Sequence, residues 1–412
     1  MVRYHRGVWL VAIIALVVTV AGLIIYALQG PRVRGAAVDV VRAVQFPGSV
    51  LQLESDRPLR AISPDQVVVE PAAPISVDVS GSIVSVVFDQ ALRYSTEYTV
   101  GIEDVAGEAR GISGDWEYRF STPQATVHYL DRGEAGEPDR IMRVGTHEGS
   151  AEEVYSSPSI GSFAVIGSAL MVASDTESGV SRLDIVEPVG NDRQRLVLPE
   201  GTSIDKLFAP ASGTRVLFTV SSIDPDGPYD RTLMLADAAG SARPEPLVGL
   251  DGGQLRVTKA AMVPGSSTVV AWVDEVRVVS IDLDSGLVLP IAEEAQEFWG
   301  VSSNGQEAIL VDLGGSVAID LSTLDEQRLV PGTIGTREVF EGQTHLMSDG
   351  RRIQTVVIGN STGTDFTSLV ALDDGQGGAV PLYRTPDDLG SIGRFVVSPG
   401  DQYVAIEVTP NR

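Results

Sequence analysis

From residue 124 to the C-terminus one unit recurs. A glycine-bearing turn leads into a strongly apolar strand, a polar loop follows, and a further apolar strand ends in an acidic turn. The turns with their apolar strands read VIGSALMVAS, APASGTRVLFTV, VPGSSTVVAW, SSNGQEAILVD, MSDGRRIQTVV and SPGDQYVAIEV; their glycines, Gly167, Gly213, Gly265, Gly305, Gly350 and Gly400, lie 46, 52, 40, 45 and 50 residues apart. The strands after the polar loops are SRLDIVEPVG, RTLMLADAAG, RVVSIDLDSG, GSVAIDLSTL and SLVALDDGQG. No helical apolar period is sustained anywhere in this stretch. A unit of three or four strands leaves one sheet face bare, and the next copy covers it. The repeat therefore commits this part of the chain to stacked sheets.

A period of this length with three or four strands per unit predicts a β-propeller over 124–412. A ring needs a closure. Gly400 lies only 12 residues from the C-terminus, so the last unit lacks its outer strands. DRIMRVGTHEG (139–149) has the form of a third strand and EEVYSS of a fourth, so strands from both ends of the region are expected to share one blade, which makes six. TVHYLD (126–131), read as an additional second strand, gives the alternative of seven blades with two imperfect. The turns SSNGQ, MSDGR and SPGDQ resemble the S-x-D-G turns of TolB-like and WD40-like propeller repeats, although no Trp-Asp dipeptide is present. The resemblance implies a protein-interaction platform.

Ahead of the repeat, residues 44–123 alternate apolar and polar positions. Tyr98, Val100 and Ile102 share one face of EYTVGIED, and Trp116, Tyr118 and Phe120 one face of DWEYRFST. Period two marks sheets with one buried face. About seven short strands in about 80 residues predict an immunoglobulin-like sandwich. LRYSTEYTVGIEDVAGEARGISGDWEYRFSTP (92–123) resembles bacterial Ig-like domains of the SbsA type at Leu92, Thr96, Tyr98, Val100, Asp104, Gly107, Phe120 and Thr122, with Glu108 where those domains carry Asn. Fibronectin type III domains share part of the pattern. Tyr98 and Trp116 are expected in the core, Tyr98 with its hydroxyl bonded to nearby backbone as a tyrosine corner.

The N-terminus reads as a membrane anchor. Val8 to Leu28 is 21 residues without a charge, flanked by Arg3 and Arg6 on one side and Arg32 and Arg34 on the other, with Trp9 and Tyr26 near its ends. As a helix it would reach roughly 30 Å, enough to cross a bilayer core, and it is longer than the apolar core of a cleavable signal peptide. The arginines tie; His5, the α-amino group and the short leading flank favour N-terminus inside. The expected layout is then a cytoplasmic flank (1–7), a transmembrane helix (8–28), a linker (29–43), the sandwich and the propeller, all outside the helix being β. The formal net charge is −25, and −29 once those four arginines are set aside. Such acidity repels nucleic acid and anionic lipid surfaces. Only Lys206 and Lys259 among the 30 basic residues are lysine, a bias resembling that of GC-rich bacteria such as actinobacteria. There is no cysteine, which excludes disulfides and thiolate chemistry.

Candidate chemistry is sparse. SSIDPDGPYDRT (221–232) gathers Asp224, Asp226 and Asp230 around a glycine. It reads as a hairpin loop, because Asp-Pro-Asp-Gly is a strong turn former and Leu233 stands where an EF-hand-type loop needs glutamate. A weak calcium site on the three aspartates is the alternative, and no other cofactor is expected. GNSTG (359–363) matches the serine-hydrolase pattern, but a strand follows it and the last histidine, His345, precedes Ser361. Glu293-Glu294 and Asp373-Asp374 are expected on solvated turns. Trp272 and Trp299 are expected in the core, a sugar pocket being the alternative. No catalytic residue is nominated. These features predict a non-enzymatic, membrane-anchored extracytoplasmic binding or scaffolding protein with a protein partner or an envelope glycan. The competing class is a carbohydrate-active hydrolase or lyase with carboxylates near the propeller channel.

Overall fold

A computed structural model describes residues 16–17, 30–108, 112–134, 136–146, 149–167, 169–176, 178–187, 193–208, 215–238, 243–335, 339–359, 366–385 and 391–409. The chain divides into two units, residues 1–124 and 125–412. The expected anchor, Val8–Leu28, lies outside the described residues except for helical Leu16 and Val17. Among the described residues no helix is long and apolar enough to cross a membrane.

The first unit contains strands β1 (Val33–Val38), β2 (Ser49–Ser55), β3 (Val67–Glu70), β4 (Ile75–Ser80), β5 (Ile83–Phe88), β6 (Glu97–Ala106) and β7 (Ser113–Ser121), and a six-residue helix α1 (Val40–Gln45). Its sheets run β1-β2-β5-β4 and β3-β6-β7, with every pairing antiparallel. With the strands lettered A to G, these sheet orders read A-B-E-D and C-F-G. The alternation seen in the sequence puts Leu51, Leu53, Val84, Val86 and Phe88 of one sheet and Tyr98, Val100, Ile102, Trp116 and Phe120 of the other into one core. Each fully buried side chain of this size contributes about 1.5–3 kcal/mol. Tyr98 is buried, and the Arg93 backbone N–H donates to its hydroxyl at 3.0 Å, the tyrosine corner expected from the sequence.

The expected linker over 29–43 is corrected. Its residues form β1, paired with β2, and most of α1, whose first turn is capped by the Asp39 side chain accepting from the Arg42 N–H at 2.9 Å. Trp116 fixes the start of this segment by donating from Nε1 to the Pro31 carbonyl at 2.8 Å. A buried indole N–H needs an acceptor, and this backbone supplies it.

The second unit is a succession of antiparallel sheets in chain order: I (126–157, three strands), II (162–196), III (202–246), IV (257–292), V (297–328), VI (340–384), each of four strands from II to VI, and VII (391–409, two strands). Every four-stranded sheet is a meander in which sequential strands are neighbours, and the first strand packs against the adjoining sheet's first strand in I and II, II and III, IV and V, V and VI, and VI and VII. This is the arrangement of β-propeller blades. The sequence units fall where expected: the turns at Gly167, Gly265, Gly305, Gly350 and Gly400 each join a first strand to a second, and each strand after a polar loop is the third of its sheet. The shared closing blade is corrected. Sheets I and VII are separate, with no pairing between them among the described residues. Among the described residues the second unit holds seven sheets, two of them with fewer than four strands.

Neighbouring sheets bury their apolar faces against each other. Met171 and Leu183 of sheet II meet Phe218 and Met234 of sheet III, and Val270 and Trp272 of sheet IV meet Phe298 and Leu310 of sheet V. The acidic ends of the third strands have a local cause. Asp320 Oδ1 accepts from the backbone N–H groups of Ser322 and Thr323, both at 2.8 Å, and Asp282 Oδ1 from that of Ser285 at 2.7 Å, so the carboxylates close the turns. Asp373 corrects the expectation of a solvated pair. It is fully buried, paired with Arg352 at 2.8 Å, and accepts from the N–H of Gly332 at 2.6 Å.

Candidate functional site

The first strands of sheets III to VII all carry a β-bulge, at Ile204/Lys206, Val257/Lys259, Phe298/Gly300, Glu341/Thr344 and Ile392/Phe395. A bulge leaves a residue out of the ladder and re-aims its side chain, which is why bulges gather at functional rims. On sheets III and IV the bulges coincide with the only two lysines of the chain.

Lys206 Nζ donates to the Thr258 carbonyl at 2.9 Å and so ties sheet III to sheet IV. Lys259 Nζ pairs with Glu297 at 2.6 Å and sits 4.8 Å from the centroid of the Trp299 ring, tying sheet IV to sheet V. The cation over the indole face is worth about 0.5–2 kcal/mol according to its exposure. Among the described residues the Nε1 of Trp299 is buried without a hydrogen-bond partner. Arg231 completes the cluster: one guanidinium nitrogen donates to Thr258 Oγ1 at 3.1 Å, and the group is ion-paired with Glu275.

Asp205 and Lys206 are solvent-exposed. Desolvation by surrounding protein nevertheless raises the Asp205 carboxyl, against the opposing hydrogen bond that Ser221 Oγ donates to it at 2.9 Å. The same desolvation, with the charge of Lys259 added, lowers the Lys206 ammonium.

The candidate calcium ligands are not brought together. Asp224 Oδ1 accepts from the Asp226 N–H at 3.1 Å, and the Asp224 carbonyl accepts from the Gly227 N–H at 2.9 Å, which is turn geometry. Asp230 is taken by Arg256 at 2.9 Å. The loop is stapled at its base, where the N–H of Ser222 donates to the Tyr229 carbonyl at 2.9 Å and the N–H of Tyr229 to Ser222 Oγ at 3.1 Å. Among the described residues no group of three or more histidines and acids is placed to hold a metal. The loop is a hairpin connection. Of the serine-hydrolase pattern, residues 360–363 lie outside the described residues.

One constellation is absent from the sequence reading. Ser303 and Asp401, in the glycine turns of sheets V and VII, meet His345 on the first strand of sheet VI. Ser303 Oγ lies 2.8 Å from His345 Nε2 and donates to Asp401 Oδ1 at 2.5 Å, while the Ser348 N–H donates to Asp401 Oδ2 at 2.8 Å. A catalytic relay needs the carboxylate on Nδ1 and the hydroxyl on Nε2. Here both address Nε2, with Asp401 Oδ1 3.4 Å from it, so the cluster fastens turns and does not activate the serine. Its signal was the turn series itself, SSNGQ, MSDGR and SPGDQ. Trp272 packs in the core as expected, whereas Trp299 is only half-buried at the bulge.

No protein-family model matches the chain, and no curated protein matches it. Among solved structures, oligogalacturonate lyase from Vibrio parahaemolyticus is similar at 15% identity over 65% of this chain and 79% of its own, with a TM-score of 0.47. TolB from Acinetobacter baumannii is similar at 13% identity over 69% and 73%, with a TM-score of 0.39. The β-propeller domain of the Trilobed protease from Pyrococcus furiosus, described as having an open velcro topology, is similar at 8% identity over 79% and 98%, with a TM-score of 0.42. The fold assignment rests on the strand order above.

Proposed function

We propose that the chain is a non-enzymatic, membrane-anchored extracytoplasmic binding protein. In this reading residues 8–28 are the anchor, the first unit is a spacer of SbsA type, and the second unit is a propeller that receives a protein partner on the bulged first strands of sheets III to V. The observation that supports the reading is the run of bulges on the first strands of sheets III to V, where Asp205 and Lys206 are exposed and Trp299 is half-buried. The carbohydrate-active alternative needs two carboxylates facing each other. Asp230, the acid whose charge acts on Asp205, is committed to Arg256, which favours binding over hydrolysis.

The test is photo-crosslinking in intact cells, with p-benzoylphenylalanine replacing Trp299 on the first strand of sheet V and, as control, Leu382 on the fourth strand of sheet VI. A discrete partner captured at position 299 and not at 382 is the expected result. Turnover of an envelope glycan by the purified chain would overturn the reading. Topology has its own assay. The two lysines belong to the second unit, so a membrane-impermeant amine reagent should label intact cells through Lys206 and lose that label in Lys206→Arg/Lys259→Arg; labelling only after lysis would place this unit inside.

A further inference from the structure

Four cations and four carboxylates surround the bulges of sheets III and IV: Lys206, Arg231, Arg256 and Lys259 against Asp205, Asp230, Glu275 and Glu297. Ion pairs account for most of them. Arg256 holds Asp230, Arg231 holds Glu275, and Lys259 holds Glu297. Lys206 and Asp205 are left over. Among the described residues neither has an ion-pair partner; Lys206 has the Thr258 carbonyl, and Asp205 has the Ser221 hydroxyl.

An ammonium has three donors, and the single bond to Thr258 leaves two without acceptors among the described residues. Water serves them in the free protein, since the side chain is exposed. An anion would serve them better, because flanking protein weakens hydration there and strengthens the attraction. The neighbours restrict its charge. Asp205 adjoins Lys206 in the chain, and the Glu297 charge also reaches it, so a dianion such as phosphate meets two carboxylates for one available cation. A monoanion does not carry that excess. Asp205, acceptor-only while ionised, adds a second requirement: the ligand should present a hydrogen-bond donor beside its negative group.

We infer that Lys206 and Asp205 form a subsite for an organic monocarboxylate bearing an adjacent hydroxyl or amine, the carboxylate on Lys206 and the donor on Asp205. The inference rests on the reading of the first-strand face as a binding surface and names the chemistry of what binds there.

Two lysines make the test direct. The full chain labelled with ¹⁵N at lysine alone gives two backbone amide signals, one from each first strand, and Lys206→Arg assigns them by removing one. Lactate, a monocarboxylate with an adjacent hydroxyl, should shift the Lys206 signal saturably. Lactamide, which lacks the charge, and phosphate, which doubles it, should shift it at least tenfold less at equal concentration. Lys206→Met should abolish the lactate shift read at Lys259 while the chain still unfolds cooperatively, and Asp205→Asn should weaken lactate relative to acetate. No saturable shift with lactate, an equal shift with phosphate, or an unaltered response in Lys206→Met would overturn the proposal. Photo-crosslinking at position 299 separates the two readings: a partner still captured by Lys206→Met leaves the binding face standing and removes only the carboxylate subsite.

Discussion

Asp401 fastens three sheets through one carboxylate, and replacing it gives a sharp test. Its side chain is 8% exposed and accepts from the Ser348 N–H at 2.8 Å and from Ser303 Oγ at 2.5 Å. Burial alone would raise its carboxyl, but hydrogen bonds from His345, Ser303 and Ser348 outweigh that and hold it below the ordinary carboxylate range. A hydrogen bond to a charged group contributes about 1.5–3 kcal/mol. Asp401→Ala removes two well-formed ones and should destabilise the second unit by about 3–5 kcal/mol. The backbone at Asp401 has φ 58°, a region where alanine loses about 1 kcal/mol or more that aspartate tolerates better. Asp401→Asn retains the shape, the tolerance of positive φ and one carbonyl acceptor, so about 1–2 kcal/mol is expected. Hydrogen exchange at the Ser348 amide reads the contact itself, and urea unfolding reads the total. Loss of about 3 kcal/mol of local protection speeds that exchange about 100-fold. Unchanged exchange at Ser348, or equal costs for the alanine and asparagine variants, would refute the idea that the carboxylate is the fastener.

The remaining predictions concern both units. Tyr98→Phe keeps the packed ring and removes the acceptor for the Arg93 N–H, so the first unit should lose about 1–2 kcal/mol without unfolding; calorimetry of the two transitions checks that the second is unmoved. Burial would raise the Asp184 carboxyl, but hydrogen bonds and charge from Arg193 and Arg195 outweigh it and lower it. A folded value below the unfolded one means stability that is present above about pH 4 and lost as pH falls through the folded value. Asp184→Asn should therefore be less stable than the parent at pH 7 and lose less on acidification, read as the gap between unfolding midpoints at pH 7 and pH 3.

The second and third strands of the repeat were legible because they are the most buried elements, with apolar runs such as VLFTV and ILVD bounded by turn residues. The first strands were harder. They are bulged and carry polar residues on one side, so Thr202–Phe208 and Phe340–Leu346 show neither a clean alternation nor an apolar run. The site lies on these strands for the same reason: what blurs the period is what frees a side chain to face solvent. The segment 29–43 was misread on other grounds. Val33–Val38 is a mostly exposed edge strand of small residues, and α1 is under two turns long. Neither length nor exposure leaves a periodic signal, and the contact that fixes the segment, Trp116 to Pro31, spans 85 residues.

The scarcity of lysine gains its meaning from position. Arginine serves the structural ion pairs of this chain, at Asp184, Asp312 and Asp373, where its planar fork can hold a carboxylate and neighbouring carbonyls together. At the bulges of sheets III and IV a fork would be a poorer fit. Lys259 places its ammonium over an indole while meeting Glu297, and Lys206 reaches one carbonyl with donors to spare. A compact ammonium on a flexible stem also responds more strongly than a guanidinium to flanking protein, as the lowering at Lys206 illustrates. Exchange for arginine should then preserve charge and still alter binding. If Lys206→Arg binds lactate as the parent does, judged from the Lys259 signal, the choice of lysine has no bearing on the site and only its charge matters.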